Sequence, residues 1–163
     1  MRTLKIPRRS LALAAALAAL PTAALVAPAQ AATGARTATA APPVSFVELP
    51  ETALPRDHAT RPITVTYRND SSADRTVAPQ ILVESPDNGP FLNPAGIRIE
   101  VLSPDGHWRA IPLGSQTGTL YTRLVPAKTV LHGHQTLTAH YRVTVVGKAP
   151  LQGTVEPRVA LYR

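Results

Sequence analysis

GIRIEVLSPDGHWRAIPL, residues Gly96–Leu113, is the stretch that decides the fold. Ile97, Ile99 and Val101 alternate with Arg98, Glu100 and Leu102, the period of two expected of a strand with one buried face. Ser103-Pro104-Asp105-Gly106 follows. Proline pre-sets the backbone at the second turn position and glycine accepts positive φ, so the chain reverses into His107–Leu113 as a hairpin.

The same period extends outward from this hairpin. Downstream, Thr119–Val125 reads as a strand after a Gly114–Gly118 loop, and Pro126–His132 leads to a break at Gly133. Gln135–Val146 is the longest strand. Leu137, Ala139, Tyr141, Val143 and Val145 face one way, and Thr138, His140, Arg142 and Thr144 face the other. Gly147–Gly153 turns the chain into Thr154–Tyr162, with Val155, Val159 and Leu161 in phase. Upstream, Ile63, Val65 and Tyr67 alternate with Thr64, Thr66 and Arg68, and Asn69-Asp70-Ser71-Ser72 ends that strand with side chains that bond their own backbone. Thr76–Val83 places Val77, Ile81 and Val83 in one phase, with Pro79 marking an edge or a bulge. Ser85–Pro94 is a long loop, Pro50–Pro62 is irregular, and Val44–Leu49 is a first short strand. About eight strands with turn signals between them predict an all-β antiparallel sandwich of immunoglobulin or fibronectin-III type, with seven to nine strands; a small barrel is the alternative.

Residues 1–43 are of another kind. Arg2, Lys5, Arg8 and Arg9 precede the Leu/Ala run Leu11–Leu20, and Ala29-Gln30-Ala31 closes the segment. A charged start, a short apolar core and an A-x-A site define a secretory signal peptide, so cleavage is expected after Ala31. Arg8-Arg9 admits a twin-arginine route, although general secretion fits better. Ala32–Pro43 reads as a flexible Ala/Thr/Pro tether, leaving residues 44–163 as the domain.

The 163-residue chain carries a formal charge of +7. Residues 1–31 hold four of the 17 Lys/Arg and none of the 10 acids, so the exported chain has 13 bases against 10 acids, or +3. Those bases are scattered singly, which removes the main support for nucleic-acid binding. No membrane association is expected once the signal is cleaved. With no cysteine, disulfides, Cys-ligated zinc and thiol catalysis are excluded.

Ile63-Thr64-Val65-Thr66-Tyr67-Arg68-Asn69, Asp105-Gly106-His107-Trp108, Leu124–Gly133 and Leu137–Val145 together resemble immunoglobulin-like domains of small secreted proteins from high-GC Gram-positive bacteria. The resemblance covers Arg61–Arg163. It implies the sandwich and export, and supplies no catalytic residues. His132 and His134 depart from it, flanking a turn where such domains carry Pro or polar residues.

Few residues suggest chemistry. His132, His134 and His140 share parity and could hold Zn²⁺ or Cu²⁺ on one solvent face, unless Gly133 is a turn that destroys the common phase. Asp70, Ser72 and Asp74 have the spacing that opens a calcium loop but lack its Gly and closing Glu, so a solvated turn is the better reading. The Gly114–Gly118 segment does not centre its serine as a nucleophile elbow requires. Carboxylates fall in turns or alone on strand faces (Glu84, Asp87, Glu100), with no pair of the kind glycoside hydrolysis needs. LPETA at 49–53 lacks the C-terminal context of a sorting signal. Trp108, with Phe91 and Tyr121, is the candidate sugar-binding platform; otherwise Trp108 covers one end of the hairpin's core. The expectation is a non-enzymatic secreted module, without cofactor, that binds an extracellular protein or cell-wall glycan or is structural at the envelope. A His-based metal-binding or metal-carrier protein is the alternative.

Overall fold

The computed structural model describes residues 41–56, 58–147 and 152–163. The signal segment and the first part of the tether lie outside the described residues. Among the described residues eleven strands form: β1 (Ser45–Glu48), β2 (Thr52–Ala53), β3 (Thr60–Arg68), β4 (Arg75–Glu84), β5 (Ile97–Leu102), β6 (Trp108–Ile111), β7 (Leu113–Gln116), β8 (Thr119–Thr122), β9 (Thr129–Leu131), β10 (Thr136–Val145) and β11 (Thr154–Leu161). Helical structure among the described residues is confined to single 3₁₀ turns at Pro94–Gly96 and Val125–Ala127.

Two antiparallel sheets pack as a sandwich. One runs β1-β11-β4-β8-β7, with β2 also on β11 and β9 also on β4; the other runs β3-β10-β5-β6. The period-two phases decide what lies between them. Ile63, Val65, Ile97, Ile99, Val143 and Val145 from the four-stranded sheet meet Val77, Ile81, Val83, Leu120, Val155 and Val159 from the larger one, all buried in one cluster. Burying a Val or Ile side chain stabilises by about 1.5–3 kcal/mol, which is how a cysteine-free domain holds together.

The hairpin forms as its sequence predicts. Gly106 (φ +82°) follows a turn closed by its amide on the Ser103 carbonyl (2.9 Å), and Asp105 Oδ1 accepts from the His107 amide (3.1 Å). The return strand is shorter than expected. β6 stops at Ile111, and after Pro112 the chain continues as β7 in the other sheet. Gly114–Gly118, expected as a flexible loop, is instead largely strand. β7 pairs β8 through the Thr117-Gly118 turn, in which both residues have positive φ (47° and 83°). That is the backbone of a two-residue hairpin turn whose twist matches the flanking strands. Gly114 carries no apolar signal because the Tyr121 ring occupies the space its Cβ would need.

Pro79 is neither at an edge nor at a bulge. It sits in β4, between β11 on one side and β8 and β9 on the other. The Ile81 amide points to the β8 side, where it donates to Thr122 Oγ1 (3.0 Å). The Pro79 nitrogen, two residues earlier, points the same way. Nothing pairs with it there, since β9 covers 75–77 and β8 covers 82–84. Pro157 in β11 repeats the device. Its carbonyl accepts the Leu49 amide (3.0 Å), so its nitrogen faces the step between β1 and β2. A central strand accommodates proline where its neighbour changes, because no ladder bond is lost.

Asn69 ties the end of β3 to the turn before β10. It is fully buried, and Nδ2 donates to the carbonyls of Ala73 (2.8 Å), Leu131 (3.2 Å) and His132 (3.2 Å). Oδ1 accepts from the Ser71 amide (3.3 Å) and hydroxyl (2.9 Å). The Ser71 amide can only donate, which fixes the orientation of the Asn69 amide. On the outer face of the larger sheet, Ala78, Ala160 and Tyr162 form a small second cluster with Leu124 and Ala127, so β4 is buried on both faces.

Candidate functional site

The sandwich is closed at one end and open at the other. Along β10, Val145, Val143 and Tyr141 are buried, while Ala139 and Leu137 are only half covered. Along β5, Ile97 and Ile99 are buried and Val101 is not. The register pairs Tyr141 with Val101 and Val145 with Ile97, so both strands lose cover at the same end. The cause lies in the opposite sheet. β8 ends at Thr122, the chain leaves through Arg123 and the 3₁₀ turn at Val125–Ala127, and β9 returns only against 75–77. Pro126 has no amide hydrogen to give to a ladder and fits the first positions of the 3₁₀ turn Val125–Ala127, so the strand expected to run to Val125 ends at Thr122. The step this leaves beside Pro79 opens a groove of about 870 Å³ between the sheets.

The groove is walled mainly by apolar side chains, among them Val101, Ile111, Leu137, Ala139 and Pro79. Its volume falls in the range of roughly 300–1,000 Å³ typical of ligand sites. Two polar groups stand out. Arg123 is the one charged residue of the lining and enters no ion pair among the described residues. Tyr141 is 4% exposed, and burial pushes its phenol up to about 12, so the hydroxyl is neutral and keeps its proton at physiological pH. No hydrogen bond to that hydroxyl forms among the described residues. Among the described residues the sealed side-chain oxygen without a partner is Thr52 Oγ1, outside this groove, so the Tyr141 hydroxyl keeps contact with solvent, and Tyr141 lines the groove.

A second hollow, of about 480 Å³, is polar and is lined by Arg56, Glu84, Asp87 and Gly153 among others. Glu84 departs from the reading of isolated carboxylates. The β4–β11 register sets Glu84 opposite Thr154 and Leu82 opposite Glu156, bringing the two glutamates together on the outer face. Burial first, then the Glu156 charge and hydrogen bond, raises the Glu84 carboxyl above its ordinary value. The two lie 72 positions apart in sequence, so strand pairing is the only signal of their meeting.

The aromatic candidates do not assemble into one platform. Trp108 is out of phase with the core-facing Ile111 and lies on the outer face of the four-stranded sheet. There the Arg142 guanidinium stands 4.6 Å from the ring centroid and grips Glu100 through two bonds (2.6 and 2.9 Å). It does not cover the hairpin's core. That grip holds the Glu100 carboxyl below the usual range. Tyr121, between the buried Leu120 and Thr122, faces outward from the other sheet, over Gly114. Phe91 is 71% exposed, in the loop beside Gly118.

The histidines are likewise separated by role. His134 has φ +62° within a turn at Gly133, which breaks the common phase. His132 Nδ1 is 2.9 Å from Asp74, and His140 Nδ1 is 3.2 Å from Thr64 Oγ1 on the outer face of β10. Among the described residues no three His, Cys, Asp or Glu side chains are grouped to hold a metal ion. Of the calcium-loop spacing, Asp70 pairs with Arg68 (3.2 Å) and Asp74 with His132. LPETA is built into the fold, with Thr52–Ala53 paired to β11. The groove itself is not legible in the sequence; its trace there is Pro126, in the 3₁₀ turn that takes the chain away after β8. No protein-family model matches the chain, and no curated protein sequence matches it.

Proposed function

We propose that the chain is an exported, non-enzymatic binding module of immunoglobulin-like type, acting at or outside the cell envelope, and that the open groove is its ligand site. The observation that carries this reading is the groove: an apolar hollow of ligand size left uncovered where β8 and β9 fail to meet. Strand phases, the signal-like residues 1–31 and the resemblance of Arg61–Arg163 to secreted immunoglobulin-like domains support the rest. A largely apolar lining favours a ligand with exposed hydrocarbon over a glycan, whose recognition draws on exposed aromatic faces and hydrogen bonds. The metal-carrier alternative has less support, because His132 and His140 each engage a different neighbour.

The test is retention. Residues 32–163 are immobilised and exposed to culture proteins, purified walls and envelope lipids, beside an Ala139→Phe variant that narrows the groove and is checked for wild-type circular dichroism. Material held by the wild type and released by the variant supports the reading. No retention, or equal retention by both, overturns it.

A further inference from the structure

Resting on that reading, we infer that the groove takes a single-chain anionic amphiphile, an acyl chain with a carboxylate or comparable oxyanion head. The argument is charge and hydrogen-bond complementarity. Val101, Ile111, Leu137 and Ala139 offer a continuous hydrocarbon wall and no polar side-chain atom. A dissolved alkyl chain entering it removes apolar surface from water on both partners. Besides the exposed Thr129 hydroxyl at the rim, the polar side chains of the lining without a partner among the described residues are Arg123 and Tyr141, and both can donate. Arg123 supplies an exposed guanidinium that enters no ion pair among the described residues, with the fork geometry that carboxylates match. Tyr141 lines the groove, is almost fully buried, and supplies a hydroxyl that keeps solvent contact and has no partner among the described residues. Among the described residues no acidic side chain lines the groove to attract a cationic head. Thr122, the other buried hydroxyl there, already accepts the Ile81 amide (3.0 Å). An oxyanion head beside Arg123 with the chain along the wall satisfies the free cation and the apolar surface together. Oxygen near the head satisfies Tyr141.

The experiment is calorimetric titration of residues 32–163 with dodecanoate, dodecyltrimethylammonium and octyl glucoside, each below its micellar concentration. Dodecanoate is expected to bind one to one and more tightly than the other two. Arg123→Gln should weaken it about tenfold or more, and Tyr141→Phe by roughly 3–10-fold. Ala139→Phe should abolish it, with Thr129→Phe at the exposed rim as a second blocking variant should Ala139→Phe misfold. Equal binding of the cationic and anionic amphiphiles, or indifference to Arg123→Gln, overturns the assignment of an anionic head. If no amphiphile binds while culture material is still retained through Ala139, this inference fails and the binding-module reading stands. If neither binds, both fail.

Discussion

Asn69 carries the sharpest prediction, because a single side chain closes five hydrogen bonds, three within its own turn and two to the distant carbonyls of Leu131 and His132. Asn69→Ala removes both Nδ2 donors. Ala73 O keeps the Ser71 hydroxyl (3.0 Å) and His132 O keeps the Gln135 amide (3.1 Å), so neither is orphaned. Asn69 Oδ1, the acceptor for Ser71, is lost as well, so the loss is that of two donor hydrogens and one acceptor at about 0.5–1.5 kcal/mol each. The total is about 3 kcal/mol. For a domain of this size that lowers Tm by roughly 10–15 °C. Thermal and urea unfolding of residues 32–163, followed by circular dichroism, measures it. Asn69→Asp separates donors from shape, since it keeps the volume and turns acceptors toward three carbonyls. Its folded-state pKa must rise above the unfolded value of about 3.9. Its stability is then fully present below that value and is lost as pH rises through the folded pKa. A Tm loss under about 3 °C for Asn69→Ala, or an Asn69→Asp variant with the wild type's pH profile, would refute the network's assigned role.

Other outcomes follow from the same geometry. Gly133→Ala drives a Cβ into the Ser72 carbonyl and should cost about 2 kcal/mol or more in urea unfolding, since backbone on both sides must shift. Pro157→Ala should cost under about 1 kcal/mol, because the new amide faces a step in the sheet and the change acts mainly through unfolded-chain entropy; a larger loss would mean the step is closed. The Glu100 carboxyl is held low by Arg142, so its stabilisation is present above the unfolded pKa of about 4.3 and fades as pH falls through the folded value. Glu100→Gln should flatten the acid limb of Tm against pH. The Glu84 carboxyl is raised, so its linked stability is present below about 4.3 and lost as pH rises. Glu84→Gln should raise Tm at pH 7, with the difference vanishing in acid.

Much of the sandwich is legible one strand at a time. The phases of Leu137–Val145, Ile63–Tyr67 and Ile97–Val101 are those of the folded core, because alternation is a local consequence of the pleat. Elements escape the sequence pattern where that signal is weak. β7 has one apolar residue, Leu113, because the Tyr121 ring stands in for a side chain at Gly114; the Thr117-Gly118 dipeptide is the trace that marks it. β2 and β9 have two and three residues, too few to show a period. Pro79 misleads because proline's usual avoidance of central strands assumes a continuous neighbour. Trp108, Phe91 and Tyr121 share only their aromatic character in the sequence, and strand parity sends Trp108 and Tyr121 to opposite outer faces.

The sequence by itself determined an all-β chain, the inward face of most strands, the hairpin at Ser103–Gly106, and the lack of any contiguous catalytic motif. These follow from φ preferences, side-chain alternation and residue chemistry, all of which act over a few positions. Pairing was decided only by the tertiary structure. It brings Glu156 to Glu84, carries the Leu131 and His132 carbonyls 62 and 63 positions to Asn69, and stops β8 short of β9. The groove is a product of that last mismatch. Its walls are ordinary inward-facing residues of β5, β6 and β10, left uncovered because the strand that would face them ends too soon.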